Sequence, residues 1–596
     1  MTATAHQPKK LVDIRGLTIR FPGANGGEPL VRGVDLSIHA GECVALVGES
    51  GSGKSLTARS LLGLAGPHAL IDASRFDIDG RQALRFSEHD WRSLRGTFAG
   101  LVMQDALVSL DPLRTVGAEI GEVLVHHRLV RSRRERRERV HAVMQDVGIA
   151  EPEHRANQYA HELSGGLRQR ALIASAIAAG PALVIADEPT TALDVTVQAQ
   201  VLAVLAARLD QGVGVLLISH DLAVVAGVAD RVLVMHNGEV VDSGTAESVL
   251  NNPSHPYTRQ LLAAQPSAQS RGHRLSSARF VTTVATVAAH GRAEGDTTAN
   301  APLILREPLP PRRARSQKVV LRVEGIGKHY SRRGTHRGEA FTALQGVSFA
   351  VREGEVLGIV GESGSGKSTC ANIVLGLVEP DAGNVEFLDT RWNGNGVSER
   401  SRRDLRPRLQ YIPQDPLSSF NPRHSVRQLL EEALWSKRLS KPALLAKSVG
   451  LLEQVGLSAE FLDRRPTSLS GGQRQRVAIA RALAPEPALI VCDEPVSALD
   501  VYVQAQVLDL LAELQGRLHT SLLFISHDLD VVRHISDWVL VFKDGRIVED
   551  GEAERVFAAP EHAYTKLLMS STPAFRRSYL DDRIRTEGQV PEREIS

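Results

Sequence analysis

The eight residues Gly48-Glu49-Ser50-Gly51-Ser52-Gly53-Lys54-Ser55 recur letter for letter at Gly361-Glu362-Ser363-Gly364-Ser365-Gly366-Lys367-Ser368. Each copy follows a short apolar run, Cys43-Val44-Ala45-Leu46-Val47 in the first case and Val356-Leu357-Gly358-Ile359-Val360 in the second. The pattern predicts a strand, a glycine loop, a lysine and a helix. Glycines let successive backbone N–H groups converge on phosphate oxygens. Lys54 and Lys367 reach terminal phosphates, Ser55 and Ser368 can ligate Mg²⁺, and the helix N-terminus adds partial positive charge. Two such loops predict two nucleotide sites.

The duplication extends beyond the loops. Lys54 and Lys367 are 313 apart, Gln104 and Gln414 310, Ser164 and Ser470 306, Asp187 and Asp493 306, and His220 and His527 307. An offset that drifts only from 313 to 306 marks tandem copies of a whole domain. The 596 residues suffice for two domains with full cores, expected over 11–265 and 318–575, with short tails at 1–10 and 576–596. The intervening 266–317 is rich in Ser, Ala, Thr, Arg and Pro and has no sustained period, so it is expected to be a flexible tether with one short ordered piece over 280–289.

No segment reads as membrane-spanning, because the uncharged stretch 171–186 is split by Gly180-Pro181, and the N-terminus has no apolar core for a signal peptide. The protein is therefore expected on the cytoplasmic side. Cys43, Cys370 and Cys492 sit in apolar surroundings and read as small buried hydrophobes, with no spacing for a metal site. A formal net charge of +1 gives no case for nucleic acid. The basic run 131–139 carries Glu135/Arg139 and Arg134/Glu138 at i,i+4 and reads as a solvated helix face.

Leu183-Val184-Ile185-Ala186-Asp187-Glu188 and Leu489-Ile490-Val491-Cys492-Asp493-Glu494 each end an apolar strand in an acidic pair. Downstream of a glycine loop, Asp187 and Asp493 are candidates to hold Mg²⁺, and Glu188 and Glu494 to polarise an attacking water. Ser164-Gly165-Gly166-Leu167 and Ser470-Gly471-Gly472-Gln473 each open a helical run and predict a second anion site at a capped helix start.

Glycine loop, Gln104 or Gln414, the Leu-Ser-Gly-Gly element, the Asp-Glu strand, Ala192-Leu193-Asp194 or Ala498-Leu499-Asp500, and Ile218-Ser219-His220 or Ile525-Ser526-His527 follow in that order. In this the chain resembles the ATPase domains of ABC proteins, and the resemblance covers both halves. It implies an α/β fold of two tandem ABC-type P-loop NTPase domains, each with a RecA-like core, an antiparallel β subdomain and a helical insert. It implies that Thr369 joins the second loop in binding ATP, that Phe21 and Tyr330 stack on adenine, that Gln104 and Gln414 sense Mg²⁺ and the water, and that His220 and His527 contact the γ-phosphate. It further implies head-to-tail pairing of the two domains. The loop 48–55 would then face Ser470-Gly471-Gly472-Gln473, and the loop 361–368 would face Ser164-Gly165-Gly166-Leu167. Leu167 in place of Gln473 is a modest asymmetry between two otherwise complete sites.

Asn252-Pro253-Ser254-His255-Pro256-Tyr257-Thr258, echoed by Ala559-Pro560-Glu561-His562-Ala563-Tyr564-Thr565, is similar to the C-terminal element of peptide and nickel importer ATPases. That group implies two membrane permease subunits and an extracytoplasmic substrate-binding protein as partners, with the chain peripheral on the cytoplasmic membrane face. Relatives carry a cysteine cluster after this element for an iron–sulfur centre; no cysteine stands there in either half, so no such centre is expected. The competing class is a soluble twin ABC ATPase acting on ribosomes. Such twins place a long charged helical pair between the domains, where this chain is rich in proline and small residues. DNA-repair relatives need either a long coiled coil between glycine loop and Asp-Glu strand or zinc cysteines, and here only 133 positions separate Lys54 from Asp187 and three scattered cysteines cannot build such a site.

Overall fold

A computed structural model describes residues 8–22, 27–104, 106–191, 193–282, 302–310, 316–331, 340–497 and 499–571. The chain divides into two compact units, one built from Met1–Leu262 and the other from Ala263–Thr572.

In the first unit five parallel strands and one antiparallel edge strand run in the order Glu239–Thr245, Arg231–His236, Cys43–Val47, Gly214–Ile218, Leu183–Asp187, Ala99–Val102. The inner strands Cys43–Val47 and Gly214–Ile218 are apolar and buried throughout because both faces are covered. Alternate side chains serve different cores: Val44, Leu46, Ile185, Leu216 and Ile218 pack on one face, and Cys43, Val184, Ala186, Val215 and Leu217 on the other. The first face meets an antiparallel sheet built on Lys10–Arg20 and Val31–His39. The second meets a helical insert that includes Val116–His126 and Arg133–Asp146.

The second unit repeats this order with Arg546–Glu552, Trp538–Lys543, Val356–Val360, Ser521–Ile525, Leu489–Asp493 and Leu409–Ile412. Its antiparallel sheet centres on Val319–Ser331 and Ala340–Arg352, and its insert includes Val426–Ala433 and Lys441–Gln454.

Two details differ from expectation. On the basic helix Arg134 Nε meets Glu138 at 2.8 Å, but the Glu135 carboxylate turns to the Arg131 amide at 2.7 Å instead of to Arg139. A free amide at a helix start is a better partner than a solvated guanidinium.

The larger difference is the segment after 265, which folds onto the second unit over 266–282 and 302–310. Leu275 is fully buried in that unit's core. The buried carboxylate of Asp509 accepts hydrogen bonds from the Leu275 and Ser276 amides, both at 2.8 Å, and from Ser276 Oγ at 2.6 Å. Arg274 pairs with Glu513 at 2.9 Å, and Ser270 Oγ lies 2.8 Å from His534 Nδ1. Arg279–Thr282 and Pro302–Leu305 form a hairpin, and buried Arg306 just beyond it donates to the carbonyls of Ala263 and Gln265. The segment shows no sustained period because its order rests on long-range fastenings, with two of its amides satisfied by a helix carboxylate 234 positions away in one case. The expected ordered piece over 283–289 and the tail 576–596 lie outside the described residues.

Asp509→Ala leaves two buried amides without their acceptor and is expected to destabilise the second unit by about 1–3 kcal/mol, read from denaturant unfolding of the full chain. Cleavage within 266–282 by a nonspecific protease is expected to accelerate in the same variant. Unchanged unfolding and cleavage would show that the strap contributes nothing.

Candidate active site

The order of the parallel strands decides which loops meet. The strand ending at Ile218 lies between the one that feeds the glycine loop and the one that ends at Asp187, with Leu46 and Asp187 both in register with Ile218. Chain ends leaving adjacent parallel strands emerge on one edge of the sheet. Gly48, Glu188 and His220 therefore converge there, as do Gly361, Glu494 and His527 in the second unit.

The glycine loops are shaped by contact. Gly48 has φ 143° and Gly361 φ 148°, and a Cβ at either would collide with the carbonyl of Met235 or Phe542 on the neighbouring strand. Gly53 and Gly366, at φ 98° and 104°, open the helices Lys54–Ser60 and Lys367–Val374. Lys54 Nζ donates to the carbonyls of Gly48 and Glu49 at 2.8 and 2.7 Å, and Lys367 Nζ to those of Gly361 and Glu362, both at 2.7 Å. Both lysines are buried beneath their loops.

Asp187 is buried, and Ser55 Oγ donates to it at 2.8 Å. Burial raises its pKa against the opposing Ser55 hydrogen bond and Arg59 charge, the latter at 3.6 Å. Asp493 is raised likewise by burial and by Glu494, against a hydrogen bond from Tyr411 Oη at 3.4 Å. A carboxylate whose burial is under-compensated fits a divalent cation. Among the described residues no group of three or more His, Cys, Asp or Glu could hold a metal. Serine, aspartate and glutamine would therefore leave the remaining positions on such an ion to phosphate and water.

Glu188 and Glu494 adopt φ 51° and 47°, strained values for residues with side chains, while their amides still donate to Ile218 and Ile525. The kink sends each carboxylate to a common set of partners. Gln104 Nε2 lies 2.7 Å from Glu188, Thr191 Oγ1 3.0 Å and His220 Nδ1 3.5 Å. Gln414 Nε2 lies 2.9 Å from Glu494 and His527 Nδ1 3.1 Å. Burial alone would raise the pKa of each glutamate and lower that of each histidine, but the hydrogen bond and charge of the partner reverse both directions. Each pair is held as carboxylate and imidazolium. Its stabilisation is present between the ordinary glutamate and histidine ranges, and is lost as pH rises through the raised imidazole value or falls through the lowered carboxylate value.

The remaining expected residues lie as follows. Ser164 and Ser470 cap the helices Gly165–Ile177 and Gly471–Leu483. Gln473 Oε1 in turn accepts a hydrogen bond from the Ser470 amide at 3.0 Å, which Leu167 cannot do. A Cβ on Gly166 or Gly472 would strike Val197 or Val503, so close helix packing requires the second glycine of each element. Phe21 is half-buried against the β-subdomain core and Gly66, whereas Tyr330 is 41% exposed. Asp194 and Asp500 cap the following helices; Ala192 and Ala498 lie outside the described residues. Burial pushes the Cys43 and Cys370 thiols up to about 12, and Cys492 upward too. The sequence reading missed Arg59, Thr191 and Tyr411. Arg59 corresponds to Asn372 in the sequence repeat and Tyr411 to Leu101, so neither carried the duplication that marked the other residues.

Residues 31–191 and 344–497 match the family described as ABC transporter, and 241–284 and 548–595 match the oligopeptide/dipeptide transporter C-terminal region. The chain belongs to the ABC transporter ATP-binding family: it is a pair of fused ABC ATPase domains, an ATP hydrolase of the transport type. Its relatives include the peptidoglycan transport ATP-binding protein YejF of Agrobacterium fabrum, 39% identical over 96% of this chain and 97% of the relative. The oligopeptide transport ATP-binding protein OppD of Mycobacterium tuberculosis is 40% identical over 94% and 98%. The glutathione import ATP-binding protein GsiA of Salmonella typhimurium is 40% identical over 95% and 90%.

Glu188→Gln removes the charge that holds His220 above its ordinary range. In histidine-labelled protein followed by NMR, His220 is expected to titrate at lower pH in the variant than in the wild type. An unmoved titration would show that the pair is not electrostatically coupled.

Proposed function

We propose that the chain energises import of peptides or related small solutes through two membrane permease subunits, fed by an extracytoplasmic substrate-binding protein, from a peripheral position on the cytoplasmic membrane face. The observation that carries this reading is the duplicated Gln–Glu–His cluster beside two identical phosphate loops, in a chain similar over nearly its whole length to transport ATPases. Among the described residues no helix is long and apolar enough to cross a membrane, so translocation falls to partners. Val108 and Leu113, 82% and 85% exposed just after Gln104, are suited to meet one. The ribosome-acting alternative gains no support from the relatives.

In this reading ATP lies on each phosphate loop, with adenine against Phe21 or Tyr330. Bound Mg²⁺, held by Ser55, Asp187 and Gln104 or by Ser368, Asp493 and Gln414, supplies charge neutralisation for the phosphates. Glu188 and Glu494 orient the attacking water, their lowered pKa keeping them ionised, and His220 and His527 stand by the γ-phosphate. ATP on each loop would draw in the Ser-Gly-Gly helix start of the other domain, Ser470 to Gln473 or Ser164 to Leu167, so that ATP would close the pair and hydrolysis release it. No iron–sulfur centre takes part.

Glu188→Gln and Glu494→Gln are each expected to lower ATP turnover about 10²–10⁴-fold while ATP binding survives. The double variant is expected to accumulate a closed, ATP-occupied state, and Lys54→Ala with Lys367→Ala to fail to close. Wild-type turnover in Glu494→Gln would sink the two-site account. Co-expression with candidate permeases is expected to move the chain into the membrane fraction; sedimentation with ribosomes instead would overturn the importer reading.

A further inference from the structure

The C-terminal element of each domain reaches back to the phosphate loop of its own domain. In the first, the buried carboxylate of Asp242 on the sheet's edge strand accepts hydrogen bonds from the Ser254 amide at 3.1 Å, Ser254 Oγ at 2.8 Å and the His255 amide at 3.0 Å. In the second, Glu549 accepts from the amides of Glu561 at 2.8 Å and His562 at 3.0 Å. The amides of Tyr257 and Tyr564 then donate to His255 Nδ1 and His562 Nδ1 at 3.2 and 3.1 Å. Both rings are buried, Tyr257 at 4.0 Å from the ring of His236 and Tyr564 under Lys543 Nζ at 4.9 Å. At the far end of each ring the hydroxyl accepts a hydrogen bond from the loop, Glu49 N to Tyr257 Oη at 3.0 Å and Glu362 N to Tyr564 Oη at 3.1 Å.

The chemistry of that contact lies in which peptide it touches. The carbonyl of the Gly48–Glu49 peptide receives Lys54 Nζ and the amide of the same peptide donates to Tyr257, so the plane is held at both ends. The Gly361–Glu362 peptide is held in the same way by Lys367 and Tyr564. Gly48 and Gly361 offer no side chain to resist rotation of this plane. Terminal phosphates on the loop draw the lysine away from its carbonyls. The tyrosine hydroxyl then still holds the amide end of that peptide.

We propose that Tyr257 and Tyr564 are positioning residues that keep each phosphate loop in its binding shape while the lysine transfers from loop carbonyls to phosphate, so that the C-terminal helix of each domain sets that domain's ATP affinity. This rests on the ATPase reading and adds to it a role for a segment outside the nucleotide-binding motifs.

The test uses the full chain as wild type, Tyr257→Phe, Tyr564→Phe and the double variant. Phe keeps the ring packing and removes only the hydroxyl. Each single change is expected to raise the Kd for a fluorescent ATP analogue at its own site, and the KM for ATP, by about three- to tenfold, as for one neutral hydrogen bond, with the change in KM exceeding that in kcat. In nucleotide-free protein, amide exchange over 48–52 is expected to speed up in Tyr257→Phe and over 361–365 in Tyr564→Phe. Wild-type affinity and exchange in the variants would overturn the proposal, as would a loss confined to kcat. A wild-type chain that fails to bind the analogue would instead overturn the ATPase reading beneath it.

Discussion

Parallel pairing of three buried strands sets the position of everything else in each domain. Leu46, Ile218 and Asp187 are bound into one ladder, and so are Ile359, Ile525 and Asp493. A slip of one residue would turn every alternate side chain from one core to the other and carry the carboxylates of Glu188 and Glu494 off the edge with it. Because both faces are apolar and fully covered, such a slip is costly and the register is strongly specified. The strained turn at Glu188 and Glu494 is tolerable for the same reason: their amides stay in the ladder while their side chains leave it.

What was legible in the sequence is what that edge requires twice. Loop glycines, lysine, Asp-Glu pair, glutamine and histidine are each set by local chemistry and appear in both halves, so duplication separated them from chance. The strap after 265 was not legible, because its order comes from Asp509 and Arg306 acting at long range on a stretch without period. The tyrosine contacts were hidden for a related reason. Tyr257 and Tyr564 were seen as part of a C-terminal signature, but their meeting with Glu49 and Glu362 spans 208 and 202 positions and leaves no mark in either local segment.

The two sites reach the same electrostatic condition by different neighbours. Arg59 stands near Asp187 where the second domain has Asn372, and Tyr411 stands near Asp493 where the first has Leu101. Both aspartates nonetheless remain raised, because a half-exposed guanidinium at 3.6 Å and a hydroxyl at 3.4 Å are too weak to repay burial. Divergence has changed the surroundings of the carboxylates and left unchanged the property a cation would use.

A buried carboxylate therefore means two different things in this fold, and its donors tell them apart. Buried Asp242 and half-buried Glu549 take backbone amides, and those hydrogen bonds overcome burial and hold both below the usual range. Asp509 takes two amides and a hydroxyl and is still raised, because burial there outweighs the donors. All three fasten an irregular segment to a regular element, and their oxygens are occupied by the chain itself. Among the described residues no backbone amide donates to Asp187 or Asp493. Asp187 meets the Ser55 hydroxyl and the half-exposed Arg59 guanidinium, and Asp493 the weak Tyr411 hydroxyl, at the edge where the phosphate loop ends. Amide donors tie a carboxylate into the chain; without them, at the mouth of a phosphate loop, Asp187 and Asp493 keep a charge that burial disfavours and that a cation would offset.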